Sequence, residues 1–151
     1  MTQALDTQSL YDRDILLWVE DTITKLRARD FENLDLENLI EEVDALGKSQ
    51  RHATRSLLRR LIEHLLKRCY VSLPECYGGW QREIRAFRND IKDILEDAPS
   101  LKNFIADILP QVYARAIESV REEYPQVNFP DHWLDNCNIN TILNHNFWED
   151  N

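Results

Sequence analysis

Residues 34–67 read LDLENLIEEVDALGKSQRHATRSLLRRLIEHLLK. Apolar side chains recur three and four apart through this stretch: Leu36, Leu39, Ile40, Val43 and Leu46, then Leu57, Leu58, Leu61 and Leu65. The spacing predicts one long amphipathic helix, because positions three and four apart share a face when each turn takes 3.6 residues. Asp35 stands where an N-cap is needed, its short carboxylate able to accept from the free N–H groups of the first turn. Around Gly47 the stripe thins, and a mid-helix glycine costs about 1 kcal/mol relative to alanine. A kink, or a break into two helices, is expected there.

Upstream, Tyr11, Ile15, Trp18, Val19, Thr22, Ile23 and Leu26 repeat at helical spacing and predict a first helix, with a short connection over 30–35. Downstream, Pro74, Gly78 and Gly79 predict a loop. A third helix carries Trp80, Ile84, Phe87, Ile91, Ile94 and Leu95 on one side and is terminated by Pro99. Ser100 can cap a fourth, whose stripe runs from Leu101 to Val120 and which Pro110 should kink or divide. The tail beyond Tyr124 reads as irregular with a turn near 139–143, and its Trp133, Leu143, Phe147 and Trp148 need a surface to cover.

Three glycines and five prolines are too few for the many turns of a barrel or sandwich. Four amphipathic helices with short connections bury their stripes as antiparallel neighbours, so the expected fold is an all-α, up-and-down antiparallel bundle of about four main helices. At 151 residues and 43% hydrophobic, the chain should form one domain over 1–151, with the tail 125–151 packed on the bundle. Leu61, Ile84, Ile91 and Ile108 lie at the centres of their stripes and are expected in the core.

The long helix also resembles, in its wording, the cyanobacteria-rich family catalogued as domain of unknown function twenty-nine. The resemblance rests on the Leu34, Asp35, Leu36 opening, the paired Glu41 and Glu42, Gly47, and the His64, Leu65, Leu66, Lys67 exit. It extends to Tyr11, Trp18, Trp80, Ile84, Arg85, Arg88 and the Pro99, Ser100, Leu101 run, and so covers most of the chain. The ending FPDHWLDNCNINTILNHNFWED is similar too, although His132, Trp133 and a displaced Cys137 stand where the family carries a cysteine-proline-tryptophan motif. The resemblance implies no catalytic residue.

The net charge of −9 hides a segmented layout. Residues 1–47 hold 12 acids and 4 bases, 48–92 hold 4 and 11, and 93–151 hold 11 and 3. The nets are therefore −8, +7 and −8. On the second helix the acids precede the bases, as the helix dipole favours. The dipole leaves Arg51, Arg55 and Arg59 unexplained, because like charges four apart repel by a few tenths of a kcal/mol per pair, roughly. Arg82, Arg85, Arg88 and Lys92 form a second basic flank on the third helix. Surface ion pairs with acids of the first and fourth helices are the favoured reading, and an open flank that takes an anion or an acidic partner is the sharper one.

Several chemistries are set aside. No Glu-x-x-His of the di-iron bundles occurs, and Glu63 and His64 point about 100° apart on a helix. His132 and His145 approaching His64 would be the one route to a metal, against which scattered histidines are mostly structural, so no metal site and no cofactor are expected. His64 reads as a boundary histidine hydrogen-bonded to a neighbouring helix. Cys69, Cys76 and Cys137 form no Cys-x-x-Cys pair and read as reduced thiols of a cytoplasmic protein. No phosphate loop and no membrane span is present in the sequence. The chain is accordingly expected to be a non-catalytic module that docks an acidic protein through Arg51, Arg55, Arg59, Arg82, Arg85 and Arg88, rather than an enzyme. Nucleic-acid or anion binding by the same arginines ranks second, disfavoured for nucleic acid by the acidic majority, and an enzyme with a metal or thiol site between helices ranks third. Homo-oligomer formation stays open.

Overall fold

In the computed structural model, which describes residues 9–150, the regular elements are all helical. They are α1 (Leu10–Arg13), α2 (Ile15–Arg27), α3 (Leu36–Tyr70), α4 (Pro74–Asp97), α5 (Leu101–Glu123) and the short α6 (Ile139–Asn144), followed by a 3₁₀ turn at Phe147–Glu149. The protein is an all-α helical bundle. Among the described residues no helix is long and apolar enough to cross a membrane.

Two expectations about the elements meet a correction, at Pro74 to Gly79 and at Asp14, and at Gly47 and Pro110 the helix is not divided. Helix α3 runs unbroken through Gly47, because one glycine costs only about 1 kcal/mol against the many bonds of a 35-residue helix. The expected loop at Pro74, Gly78 and Gly79 is instead the start of α4: Pro74 sits in the first turn, where its missing N–H has no partner to lose. A Cβ at Gly78 would meet no atom within 4 Å, so the glycine is not placed there to relieve crowding. Pro110 lies inside an α5 that remains one helix. The single first helix is two, since Asp14 takes an extended conformation (φ −155°, ψ 96°) and its carboxylate accepts from the Leu17 N–H at 3.1 Å, capping α2.

The contacts gather into two compact units, one ending at Lys48 and the other beginning at Ser49. In the first, polar staples join α1 and α2 to the start of α3. The Tyr11 hydroxyl donates to Glu42 at 2.5 Å, and the Trp18 indole donates to Asp35 at 3.2 Å. Asp35 also accepts from the side-chain amide of Asn38 at 2.7 Å, and that amide, helped by the Trp18 indole and the Asn38 N–H, holds its carboxyl below the usual range. Asp35 stands directly before α3, and its carbonyl accepts from the Leu39 N–H at 3.0 Å, at the position where the sequence suggests a cap. At the other end of α2, Arg29 adopts φ 56°, with its N–H on the Leu26 carbonyl and the Asp30 N–H on the Lys25 carbonyl. This is a Schellman stop in which an arginine occupies the position that favours glycine.

The second unit contains the continuous core. Leu58, Leu61, Leu65 of α3, Ile84 and Ile91 of α4, and Ile105, Ile108 and Val120 of α5 are buried together, and the connections at 71–73 and 98–100 are short enough to make these helices antiparallel neighbours. Leu61, Ile84, Ile91 and Ile108 are buried as their stripe positions demand. Phe129, Leu134, Ile142, Leu143 and Phe147 belong to the same core, so the segment after α5 forms one of its walls. Tyr113 donates its hydroxyl to the Pro130 carbonyl, and Arg121 donates to the Phe129 carbonyl at 2.9 Å and to Asp131 at 2.5 Å, fixing where that segment turns back.

Candidate functional site

Arginines four apart on α3 take their places from the stripe beside them. Thr54, Leu58, Leu61 and Leu65 point into the core, so Arg55 and Arg59, each one residue and about 100° further round, emerge at its edge. On α5, Val112 and Ala116 point inward and Arg115 emerges between them in sequence. The two edges meet in a cleft of about 450 Å³ whose walls are His52, Arg55, Ser56, Arg59, Gln111 and Arg115, floored by Val112.

Three arginines and a histidine thus line one small space. Arg59 has a weak partner in Glu63 of its own helix at 3.7 Å, and the Arg55 guanidinium lies over the Phe104 ring at 5.6 Å. Among the described residues neither Arg55 nor Arg115 is paired with a carboxylate. In place of an acid, α5 brings another arginine to this ladder. Guanidiniums offer planar forks of donors, and the hydroxyl of Ser56 and amide of Gln111 add neutral ones, which suits a carboxylate or another oxyanion. Arg115 has no spacing signal of its own: only the pairing of α5 with α3 brings it to the ladder.

The remaining arginines divide. Arg51 and Arg82 are exposed and outside the cleft, and exposed Arg85 lines a separate hollow of about 320 Å³ with Lys92, Asn89 and Glu149. Arg88 is corrected from the partner-binding set to the interior. It is 7% exposed, burial lowers its pKa, and it donates to the carbonyls of Ile142 at 3.0 Å and His145 at 2.5 Å and to the Asn146 side chain at 3.3 Å. Its head is used up in holding the chain around α6 against α4. Arg68 helps, lying 3.8 Å from the centre of the Tyr77 ring and 5.4 Å from that of Trp148.

The histidines do not converge. His64 bonds the Arg60 carbonyl through Nδ1 at 2.8 Å and Glu83 of α4 through Nε2, as a boundary histidine should. His132 pairs with Asp135 and His145 with Asp150, each at 2.9 Å. Among the described residues no three His, Cys, Asp or Glu side chains are grouped to hold a metal ion. All three cysteines are free; burial pushes the Cys69 thiol up to about 12 and raises that of Cys137 as well. A larger groove of about 1160 Å³ lies between α5 and the following segment, floored by Ile105, Leu109, Tyr113 and Ile117 with Cys137 on its wall, and the sequence carries no motif for it.

Neither the curated proteins nor the solved structures contain a significant match to this chain. The sequence profile of one family, described as "Domain of unknown function DUF29", matches residues 10–148, nearly the whole of it. The helices, the tail wall and the arginine cleft all fall inside that match, and the chain belongs to the DUF29 family.

Proposed function

We propose that this protein is a non-catalytic interaction module and that the cleft of Arg55, Arg59 and Arg115 takes the carboxylates of an acidic partner protein. The observation that carries the reading is the gathering of three arginines around one cleft with, among the described residues, a single 3.7 Å carboxylate contact to them. Cations held side by side repel, and an incoming carboxylate removes that repulsion while making charge-assisted bonds. The acidic majority of the chain favours a protein carboxylate over nucleic acid as the occupant. The reading extends to a cytoplasmic location, supported by three cysteines carried as free thiols.

Fluorescence anisotropy with a labelled Glu/Asp-rich peptide, and with labelled single-stranded DNA and RNA, tests it. The peptide should bind, more weakly as salt rises, and Arg55→Glu with Arg115→Glu should weaken it at least about tenfold while the melting temperature stays near that of the parent. Nucleic acid binding more tightly than the peptide, or a peptide affinity unmoved by the reversals, would overturn it.

A further inference from the structure

Every large hydrophobic side chain left exposed among the described residues falls between Ile15 and Leu46. On α2 these include Leu16, Val19, Ile23 and Leu26, three and four apart; on α3 they are Leu36, Ile40, Val43 and Leu46. Leu16 is 64% exposed and Leu46 66%, values that a helix stripe shows when nothing lies on it. The polar staples of Tyr11 to Glu42 and Trp18 to Asp35 hold this unit together on other sides of its helices, so the apolar rows are spare.

The row on α3 has an acidic border. Glu37 and Glu41 follow Leu36 and Ile40 by one residue each, which sets them about 100° round the helix, alongside the apolar row. Glu20 borders Val19 on α2 in the same way. Glu20, Glu37 and Glu41 have no basic partner among the described residues, and between residues 9 and 48 eleven acids stand against five bases. An occupant must therefore bring an apolar stripe and positive charge on one and the same face.

A second copy of this chain offers no such face. Its basic stretch, in α3 beyond Lys48 and in α4, has its apolar stripe at Leu58, Leu61, Leu65, Ile84 and Ile91 fully used in the core. Its free apolar stripe is the acidic one, which would meet its like. We infer that the exposed rows of α2 and the first part of α3 are a docking surface for a basic amphipathic helix of another protein, with that helix's apolar stripe on Leu36, Ile40 and Val43 and its Lys or Arg side chains against Glu37 and Glu41.

Titration calorimetry of the full chain with an 18-residue helical peptide of Leu, Ala and Lys, and with its analogue in which Glu replaces Lys, tests this. The Lys peptide should bind, the Glu peptide should not, and Glu37→Lys with Glu41→Lys should weaken the first at least about tenfold and admit the second. Val43→Asp should abolish binding with an unchanged melt, because Val43 is already exposed. Arg55→Glu should leave this binding untouched, so the surface stands or falls apart from the arginine cleft. Three results would overturn the inference: no uptake of the Lys peptide, equal uptake of both peptides, or a parent that sediments as a dimer which Val43→Asp dissolves.

Discussion

The Nε–H of Arg88, in the middle of α4, donates to the backbone carbonyl of Ile142 at 3.0 Å across 54 positions of sequence. A cation that looks like surface in the sequence thus bonds the carbonyls of Ile142 and His145 at the end of α6. Arg88→Ala should cost about 1.5–3 kcal/mol, the range for bonds to a charged donor, and should make 131–150 cleavable by protease at low dose. Arg82→Ala, whose side chain is exposed, should change neither the melt nor the cleavage pattern.

Leu61 and Ile91 are both fully buried. Truncating either to alanine removes its transfer energy and leaves a hole that a close-packed core only partly closes, so each should lower stability by about 2–5 kcal/mol. Urea unfolding of the two variants measures this directly.

Asp35 provides a pH test in the first unit. Its folded pKa lies below the ordinary carboxylate value of about 4, so its contribution is complete above that value and is lost as pH falls through the folded one. Acid titration below pH 4 should loosen the Trp18 indole from Asp35, seen as a shift of the Nε1–H resonance, and Asp35→Asn should remove that transition.

Burial pushes the Cys69 thiol up to about 12, against an ordinary 9.0. Near pH 8 its thiolate is then about a thousandfold scarcer than that of a free cysteine, and the thiolate is the reacting species. In a Cys76→Ser, Cys137→Ser variant, a thiol reagent should label Cys69 at least about a hundredfold more slowly than it labels the same chain in urea.

Arg29 at φ 56° carries a Cβ in the left-handed region. Arg29→Gly removes that strain and should slow hydrogen exchange at the Asp30 N–H, which closes the turn on Lys25, by up to about fivefold for about 1 kcal/mol.

The parts of this fold that the sequence displays are the ones with a local cause. Ile84, Ile91 and Leu95 declare α4 through their spacing, and Leu58, Leu61 and Leu65 declare the buried half of α3. Pro74 and the Gly78–Gly79 pair mislead because their local preference for a bend is overridden by the packing of Trp80 and Ile84 behind them. Asp14 was readable as a cap, an aspartate directly before the apolar Ile15 to Leu17, but the stripe running through it hides the break. The arginine ladder is visible at Arg55 and Arg59, whereas Arg115 and the inward turn of Arg88 depend on contacts between segments distant in the chain, for which periodicity holds no information.

The wall formed by Phe129, Leu134, Ile142, Leu143 and Phe147 gives the chain a timetable. Synthesis delivers residues from the N-terminus, so α3, α4 and α5 are all made before the groups that close the core around them. Until Phe147 arrives, the newborn bundle has one bare side. Slowing translation over codons 129–147 would lengthen that interval, and with it the time in which chaperones or neighbouring nascent chains can reach the unsealed core.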